Sequence, residues 1–89
     1  MRRSITKPQF DKDIRRIKRR GKDIEKLIAV VLILENDGRL TDRFRPHKLH
    51  GEYEGCWECH IEFDWLLIWK YDDNDIILVR TGTHSDLFE

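Results

Sequence analysis

The stretch Trp57–Tyr71, WECHIEFDWLLIWKY, decides the fold of this 89-residue chain. In its first half apolar and polar side chains alternate, which predicts a strand with one buried face and one polar face. The apolar positions are Trp57, Cys59, Ile61 and Phe63, and the polar positions are Glu58, His60, Glu62 and Asp64. The second half, Trp65–Tyr71, is apolar on both faces and therefore predicts a central strand.

A third strand is predicted after a turn. Four polar residues at 72–75 indicate a turn, and Ile76–Thr81 is the next predicted strand, which Gly82 ends. The remaining tail is short, with room for one helical turn. The second half of the chain is therefore predicted to be a three-strand antiparallel meander.

Two amphipathic helices are predicted before the meander. Pro8 suits the first turn of the first helix, and Gly21 ends it. Asp23 can cap the second helix. The apolar stripes are Phe10, Ile14 and Ile17 in the first helix, and Ile24, Leu27, Ile28, Val31 and Leu34 in the second.

The rest of the chain completes one α+β domain over residues 1–89. Arg2–Lys7 predicts an edge strand, and residues 39–55, which show no clear period, predict a long loop. The predicted architecture is an N-terminal edge strand and a two-helix hairpin packed on an antiparallel sheet.

Charge divides the chain into two halves. Residues 1–48 carry fifteen Lys and Arg against seven Asp and Glu, whereas residues 49–89 carry two against ten. The basic run Lys12–Arg20 fits either a surface that binds RNA or the solvated face of a helix. No apolar run reaches the length of a membrane span and no signal region follows the N-terminus, so we expect a cytoplasmic protein with reduced cysteines.

The segment Cys56–His60 matches the haem-attachment pattern C-x-x-C-H and contains a C-x-x-C pair typical of zinc or redox sites. On a strand, residues three apart point to opposite faces. We therefore expect Cys59 to be a core residue, and neither haem nor zinc is predicted.

The four histidines all lie between residues 47 and 84. Imidazole transfers protons near neutral pH, and RNA cleavage needs one group to accept the 2′-hydroxyl proton and another to protonate the leaving 5′-oxygen. His60 shares the predicted polar face with Asp64, and Arg80 is a candidate cation for the phosphate. A site in which His and Asp bind a metal remains an alternative at this point.

Three segments, in this order along the chain, resemble motifs of the YafQ branch of the RelE/ParE toxin superfamily. They are HKLHG at 47–51, CWECHIEFDWLLI at 56–68 and RTGTHSDLF at 80–88. The resemblance covers nearly the whole chain and implies a RelE-like fold. It also implies a ribosome-dependent mRNA endonuclease that works without a metal or other cofactor and is neutralised by a cognate antitoxin.

The resemblance also implies site residues. His47, His60, Asp64 and His84 match catalytic positions of the family, and the expected RNA- or phosphate-contacting positions are Arg80, Trp65, Phe88 and Glu58. The role of general acid is expected of His84, and that of general base of His47 or His60. The basic helix face is expected to contact ribosomal RNA, and no membrane partner is expected.

Two positions depart from the family pattern. Phe63 stands where relatives usually have Pro, and Glu89 is expected to add negative charge near a bound phosphate. Two other functions stay open: inhibition of a protein target such as gyrase, as in the ParE branch, and an inactive module that only binds an antitoxin-like partner.

Overall fold

In the computed structural model, which describes residues 1–88, a five-stranded sheet carries two longer helices on one face. The strands are β1 (Arg3–Thr6), β2 (His47–Lys48), β3 (Trp57–Glu62), β4 (Trp65–Asp72) and β5 (Asp75–Gly82), and the helices are α1 (Pro8–Arg19), α2 (Ile24–Asp37) and α3 (His84–Phe88). Their order across the sheet is β1-β5-β4-β3-β2. The predicted α+β architecture is confirmed.

The three-strand meander is present, but its first turn comes earlier than the alternation predicted. β3 ends at Glu62, which pairs with Trp65, so Phe63 and Asp64 form the two-residue turn into β4. The prediction that Asp64 shares a strand face with His60 is therefore wrong. Phe63, predicted to be buried, is 88% exposed. A register shift between His60 and Glu62 interrupts the alternation just before the turn.

Both edges of the sheet are short strands. β1 is the predicted edge strand and pairs in parallel with β5. The prediction of an unbroken loop over residues 39–55 is wrong, because that segment contains β2, which pairs with β3, and two 3₁₀ turns at Asp42–Phe44 and Gly51–Tyr53. Elements of two or three residues are too short to leave a periodic pattern in the sequence.

The helices begin where their caps were predicted, but the buried stripe of α2 is rotated. Asp23 accepts a hydrogen bond from the backbone N–H of Glu25, as an N-cap does. The buried residues of α2 are Leu27, Val30 and Leu34, whereas Ile28 is 42% exposed. Because every face of this helix carries apolar residues, the sequence pattern could not show which face meets the sheet.

The sheet buries apolar side chains on both faces, and the two cysteines lie on different ones. Cys59 packs among the residues that meet α1 and α2, whereas Cys56 packs on the other face with Leu66, Ile68 and Leu87. Burial raises the pKa of the Cys59 thiol to about 12. The C-x-x-C pair therefore cannot hold one metal ion between its two thiols, and the prediction of a core Cys59 is confirmed.

Within residues 1–88, no helix has both the length and the apolar character that crossing a bilayer requires.

Candidate active site

The strand register places most predicted site residues on the sheet face opposite α1 and α2, which we call the open face. Directly paired residues of neighbouring strands point to the same side of a sheet. The pairs His47–Glu58, Glu58–Ile68 and Ile68–Arg80 form one row across four strands, and His60, Leu66 and Gly82 form the next row. Residues far apart in the sequence therefore meet on one surface.

His84 is held by Asp64 at one end of this face. The Asp64 Oδ1 atom accepts a hydrogen bond from the His84 backbone N–H at 3.0 Å and lies 2.7 Å from His84 Nδ1. The backbone and side-chain hydrogen bonds from His84 lower the pKa of Asp64 below its usual value. With a proton on Nδ1 to make this contact, Nε2 is left for proton transfer.

His60 lies beside this pair. Its ring centroid is 5.9 Å from that of His84, and its Nδ1 atom is 3.3 Å from the carbonyl oxygen of Phe63. Asp64 contacts His84 and the Phe63 carbonyl contacts His60, so the β3–β4 turn connects the two imidazoles. The structure thus brings together three of the four predicted catalytic residues.

His47 forms a separate pair with Glu58. Its Nε2 atom is 3.1 Å from Glu58 Oε1, and its Nδ1 atom is 3.0 Å from the carbonyl oxygen of Arg45. Glu58 is only 4% exposed, and its Oε2 atom has no hydrogen-bond partner among residues 1–88. Both ring nitrogens of His47 therefore face acceptor oxygens.

Arg80 is held by a residue that the sequence analysis missed, Asp13 of α1. The Arg80 Nε atom is 2.7 Å from Asp13 Oδ2, and Asp13 is completely buried. The hydrogen bond with Asp13 raises the pKa of Arg80, so the guanidinium stays charged. The available sequence signal was an acidic residue directly before Ile14, on the apolar stripe of a basic helix.

Tyr53 is a second missed residue, and it connects Arg80 to α3. Its hydroxyl donates to the carbonyl oxygen of Leu87 and accepts from Arg80 Nη1, each at 3.2 Å. Its ring meets Phe88 edge-on at 5.6 Å between centroids, and Phe88 in turn lies 6.4 Å from His84. Aromatic rings thus continue from Tyr53 to His60 along the open face. Glu89, expected to place charge beside this row, lies outside the described residues.

Trp65 differs from the other predicted RNA-contacting residues. It is fully buried on the helix side of the sheet, and its indole N–H donates to Thr81 Oγ1 at 2.9 Å. In this position its ring cannot stack on a nucleotide base. It packs in the core between the sheet and the two longer helices.

The short helix α3 is tied to α1 through Asp86. Thr83 and Asp86 form a reciprocal capping box, with each backbone N–H donating to the other side chain. Arg20 donates two hydrogen bonds to the Asp86 carboxylate, at 2.6 and 3.0 Å. The carboxylate lies so close to Gly82 that a Cβ atom there would be 2.7 Å from Asp86 Oδ2. Because Gly82 has no Cβ atom, Asp86 can approach closely and cap α3, the helix that begins with His84.

The basic residues of α1 fall into two groups. Arg16, and Arg20 directly after the helix, bind the carboxylates of Asp13 and Asp86, so they contribute to the fold. The exposed basic residues within α1 are Lys12, Arg15, Lys18 and Arg19. Only this second group remains available as a surface for a polyanion.

The chain is similar to known proteins over nearly its whole length. Residues 2–89 match the family model described as the bacterial toxin of type II toxin–antitoxin systems, YafQ. The chain belongs to the YafQ toxin family. It is 37% identical to the mRNA interferase toxin YafQ of Escherichia coli K12 over 81 residues, which are 90% of this chain and 88% of the relative.

Solved structures of similar toxins superpose over nearly the whole chain. The toxin chain of the E. coli DinJ–YafQ complex has a TM-score of 0.90 and 34% identity, with all of both chains covered. A copper-bound mutant toxin from Helicobacter pylori has a TM-score of 0.90 and 35% identity, covering 99% of this chain and 100% of that one. The YafQ fold is thus shared across these species.

The contact between Arg20 and Asp86 should make the stability of the fold depend on acidic pH. The hydrogen bonds from Arg20 hold the pKa of Asp86 well below its usual range. A pKa that is lower in the folded state gives stabilisation that is fully present above about pH 4 and is lost as the pH falls below it. We therefore expect Asp86→Asn to lower the free energy of unfolding at neutral pH and to weaken its decrease between about pH 4 and pH 2.

Urea unfolding at a series of pH values measures both effects. Replacement of the exposed Asp37 by Asn is the matched control and should keep the acid dependence of the wild type. Equal acid dependence in Asp86→Asn and the wild type would contradict the role given to Asp86.

Proposed function

We propose that this YafQ family member is the toxin of a type II toxin–antitoxin system and an endoribonuclease that cuts mRNA on the ribosome. The observation that carries the proposal is the contact of His84 with Asp64, at 2.7 Å, beside the His60 ring on the open face. A protein that only inhibits gyrase or binds an antitoxin has no need of paired imidazoles. The E. coli relative, which is 37% identical to this chain, is an mRNA interferase toxin, and this supports the same activity.

The reaction needs two proton transfers. The ribose 2′-oxygen attacks the adjacent phosphorus and gives its proton to a base, while the bond from phosphorus to the 5′-oxygen breaks and that oxygen receives a proton from an acid. The products are a 2′,3′-cyclic phosphate and a 5′-hydroxyl. His84 is the proposed acid, with Asp64 fixing the proton on Nδ1 and orienting the ring.

Of the two candidate bases, His60 suits the geometry better. One of its ring nitrogens contacts a carbonyl oxygen, which leaves Nε2 to accept a proton. His47 contacts acceptors through both nitrogens, so it suits a positively charged role beside the phosphate. Arg80 supplies a second positive charge for the phosphate oxygens.

The proposed partners follow from the same account. A cognate antitoxin is expected, since E. coli YafQ is found in a complex with DinJ. The ribosome is the second partner, and the exposed basic residues of α1 are placed to bind ribosomal RNA. The proposed location is the cytoplasm, where both partners are made.

Removing the acid tests the activity in cells. We expect His84→Ala to reduce mRNA cleavage roughly 10²–10⁴-fold, because the leaving oxygen loses its proton donor. His50→Ala is the matched control, since His50 is exposed and its ring pairs with Glu54, at 3.7 Å, away from the His84–Asp64 pair. Primer extension of mRNA after induction measures the breaks. DNA-damage signals without mRNA breaks would favour gyrase inhibition and contradict the proposal.

The substrate's own 2′-hydroxyl tests the chemistry. An mRNA with a single 2′-deoxyribose at the cut position should resist cleavage on programmed ribosomes, because the attacking oxygen is missing. With the free Mg²⁺ that ribosomes require held constant, the unmodified mRNA should be cut equally well in the presence of a chelator selective for transition metals, since every proton in the scheme moves between side chains and RNA. Normal cleavage of the deoxy substrate would exclude 2′-oxygen attack, and loss of activity in chelator would support a metal-dependent site.

The exposed basic residues of α1 can be tested by charge reversal. We expect the double variant Arg15→Glu and Lys18→Glu to bind ribosomes more weakly and to show a shallower dependence of affinity on salt, because fewer counterions are released. A matched reversal of the exposed Arg39 and Arg43 should leave both quantities unchanged. Unchanged binding in the α1 variant would show that these residues are only a solvated surface.

A further inference from the structure

The Asp13 carboxylate closes an unpaired edge of the sheet. β1 ends at Thr6, opposite Leu78, so the later part of β5 has no strand on that side. There α1 lies along β5, and Asp13 Oδ2 accepts the backbone N–H of Thr81 at 3.0 Å. The same carboxylate accepts from Arg16 at 2.9 Å and from Gln9 at 3.4 Å. A fully buried carboxylate is thus satisfied by several donors.

The hydrogen bonds of Arg80 leave one edge of its guanidinium for a ligand. Its Nε and Nη2 atoms lie 2.7 and 3.2 Å from the two oxygens of Asp13. A guanidinium has five N–H donors, and one on Nη1 reaches Tyr53. Two donors remain, one on each terminal nitrogen, and the Arg80 side chain is 18% exposed, so a phosphate oxygen can be bound on its free side.

The charges of this cluster do not cancel. Asp13 carries one negative charge, and it is shared between two arginines, Arg80 and Arg16. If Asp13 bound Arg80 alone, the pair would be neutral and its attraction for a phosphate would be weak. Asp86 also lies 3.8 Å from Arg16, but Arg20 binds it, so the cluster holds three arginines and two carboxylates. Arg16 therefore preserves a net positive charge of about one beside the open face.

We propose that Asp13 is a positioning residue for RNA cleavage, which turns the free edge of Arg80 toward the phosphate while Arg16 keeps the pair positively charged. This inference rests on the proposed function. Asp13 does not touch the substrate; it acts through Arg80. Its loss should therefore impair catalysis in protein that is still folded.

A double-mutant cycle separates positioning from folding. Asp13→Asn keeps an amide oxygen for the Thr81 N–H but weakens the hold on Arg80, and misplacing a reacting group can cost on the order of 100-fold in rate. We expect single-turnover cleavage to fall about 10- to 100-fold. In an Arg80→Gln background, the same change should have an effect of less than about twofold, because there is no arginine left to position. Rates are taken per folded molecule, checked by near-ultraviolet circular dichroism.

Arg16→Gln provides a second test, which disturbs the buried Asp13 carboxylate less than Asp13→Asn does. At low salt we expect KM to rise about threefold with kcat nearly unchanged, since the phosphate is attracted less but Arg80 keeps its position. The matched loss of one charge in Arg39→Gln should not change KM. An unchanged KM in Arg16→Gln would overturn the charge argument, whether or not Asp13→Asn folds.

The outcomes distinguish this inference from the function itself. If wild-type protein cuts mRNA and the Asp13 and Arg80 effects multiply independently, Asp13 has only a structural role and the inference is wrong. If wild-type protein cuts no mRNA, the proposed function is wrong as well.

Discussion

The buried carboxylate of Asp13 is the constraint on which the arrangement of this small domain depends. A charged group that is buried away from water is tolerated only when it is paired and fully hydrogen-bonded. Asp13 achieves this with Arg16, Arg80 and the backbone of Thr81. Removing one partner of such a buried pair typically costs about 3–5 kcal/mol, a large part of the stability of a domain this size. The position of α1 on β5 is therefore coupled to the position of Arg80.

A second carboxylate extends this constraint to the C-terminal helix α3. Asp86 binds Arg20 and lies 3.8 Å from Arg16, so acidic and basic side chains alternate from Arg80 to α3. α3 has only five residues and would not be stable by itself. Its capping box and these arginines hold it beside the β3–β4 turn, where His84 meets Asp64. Basic residues in and directly after α1 thus hold the candidate site in place, in addition to those that form its exposed surface.

Much of the fold was predictable because its signals are local. The alternation after Trp57, the apolar run from Trp65 and the cap at Asp23 each depend on neighbouring residues, and the structure contains all three elements. The β3–β4 turn was placed too late because Phe63 continues the apolar alternation although it is almost fully exposed. The side of α2 that meets the sheet could not be predicted, because that depends on tertiary packing.

The site was predictable only in part, for the same reason. His60, Asp64 and His84 were found from their residue types and from family motifs, and they lie together. Asp13 and Tyr53 were missed because they act through Arg80, which is 67 and 27 residues away from them in the sequence. Trp65 was assigned to RNA because a motif gives a position in the chain and not the face of the sheet on which a side chain lies.

The most direct test of the Asp13 constraint is ¹⁵N NMR of the arginine side chains in the wild-type protein. We expect the Arg80 Nε–H signal to exchange slowly with solvent at neutral pH and to show coupling across a hydrogen bond to the Asp13 carboxylate. The mostly exposed Arg3 provides the reference for rapid exchange. An Arg80 signal that exchanges as fast as that of Arg3, with no coupling to Asp13, would contradict the account.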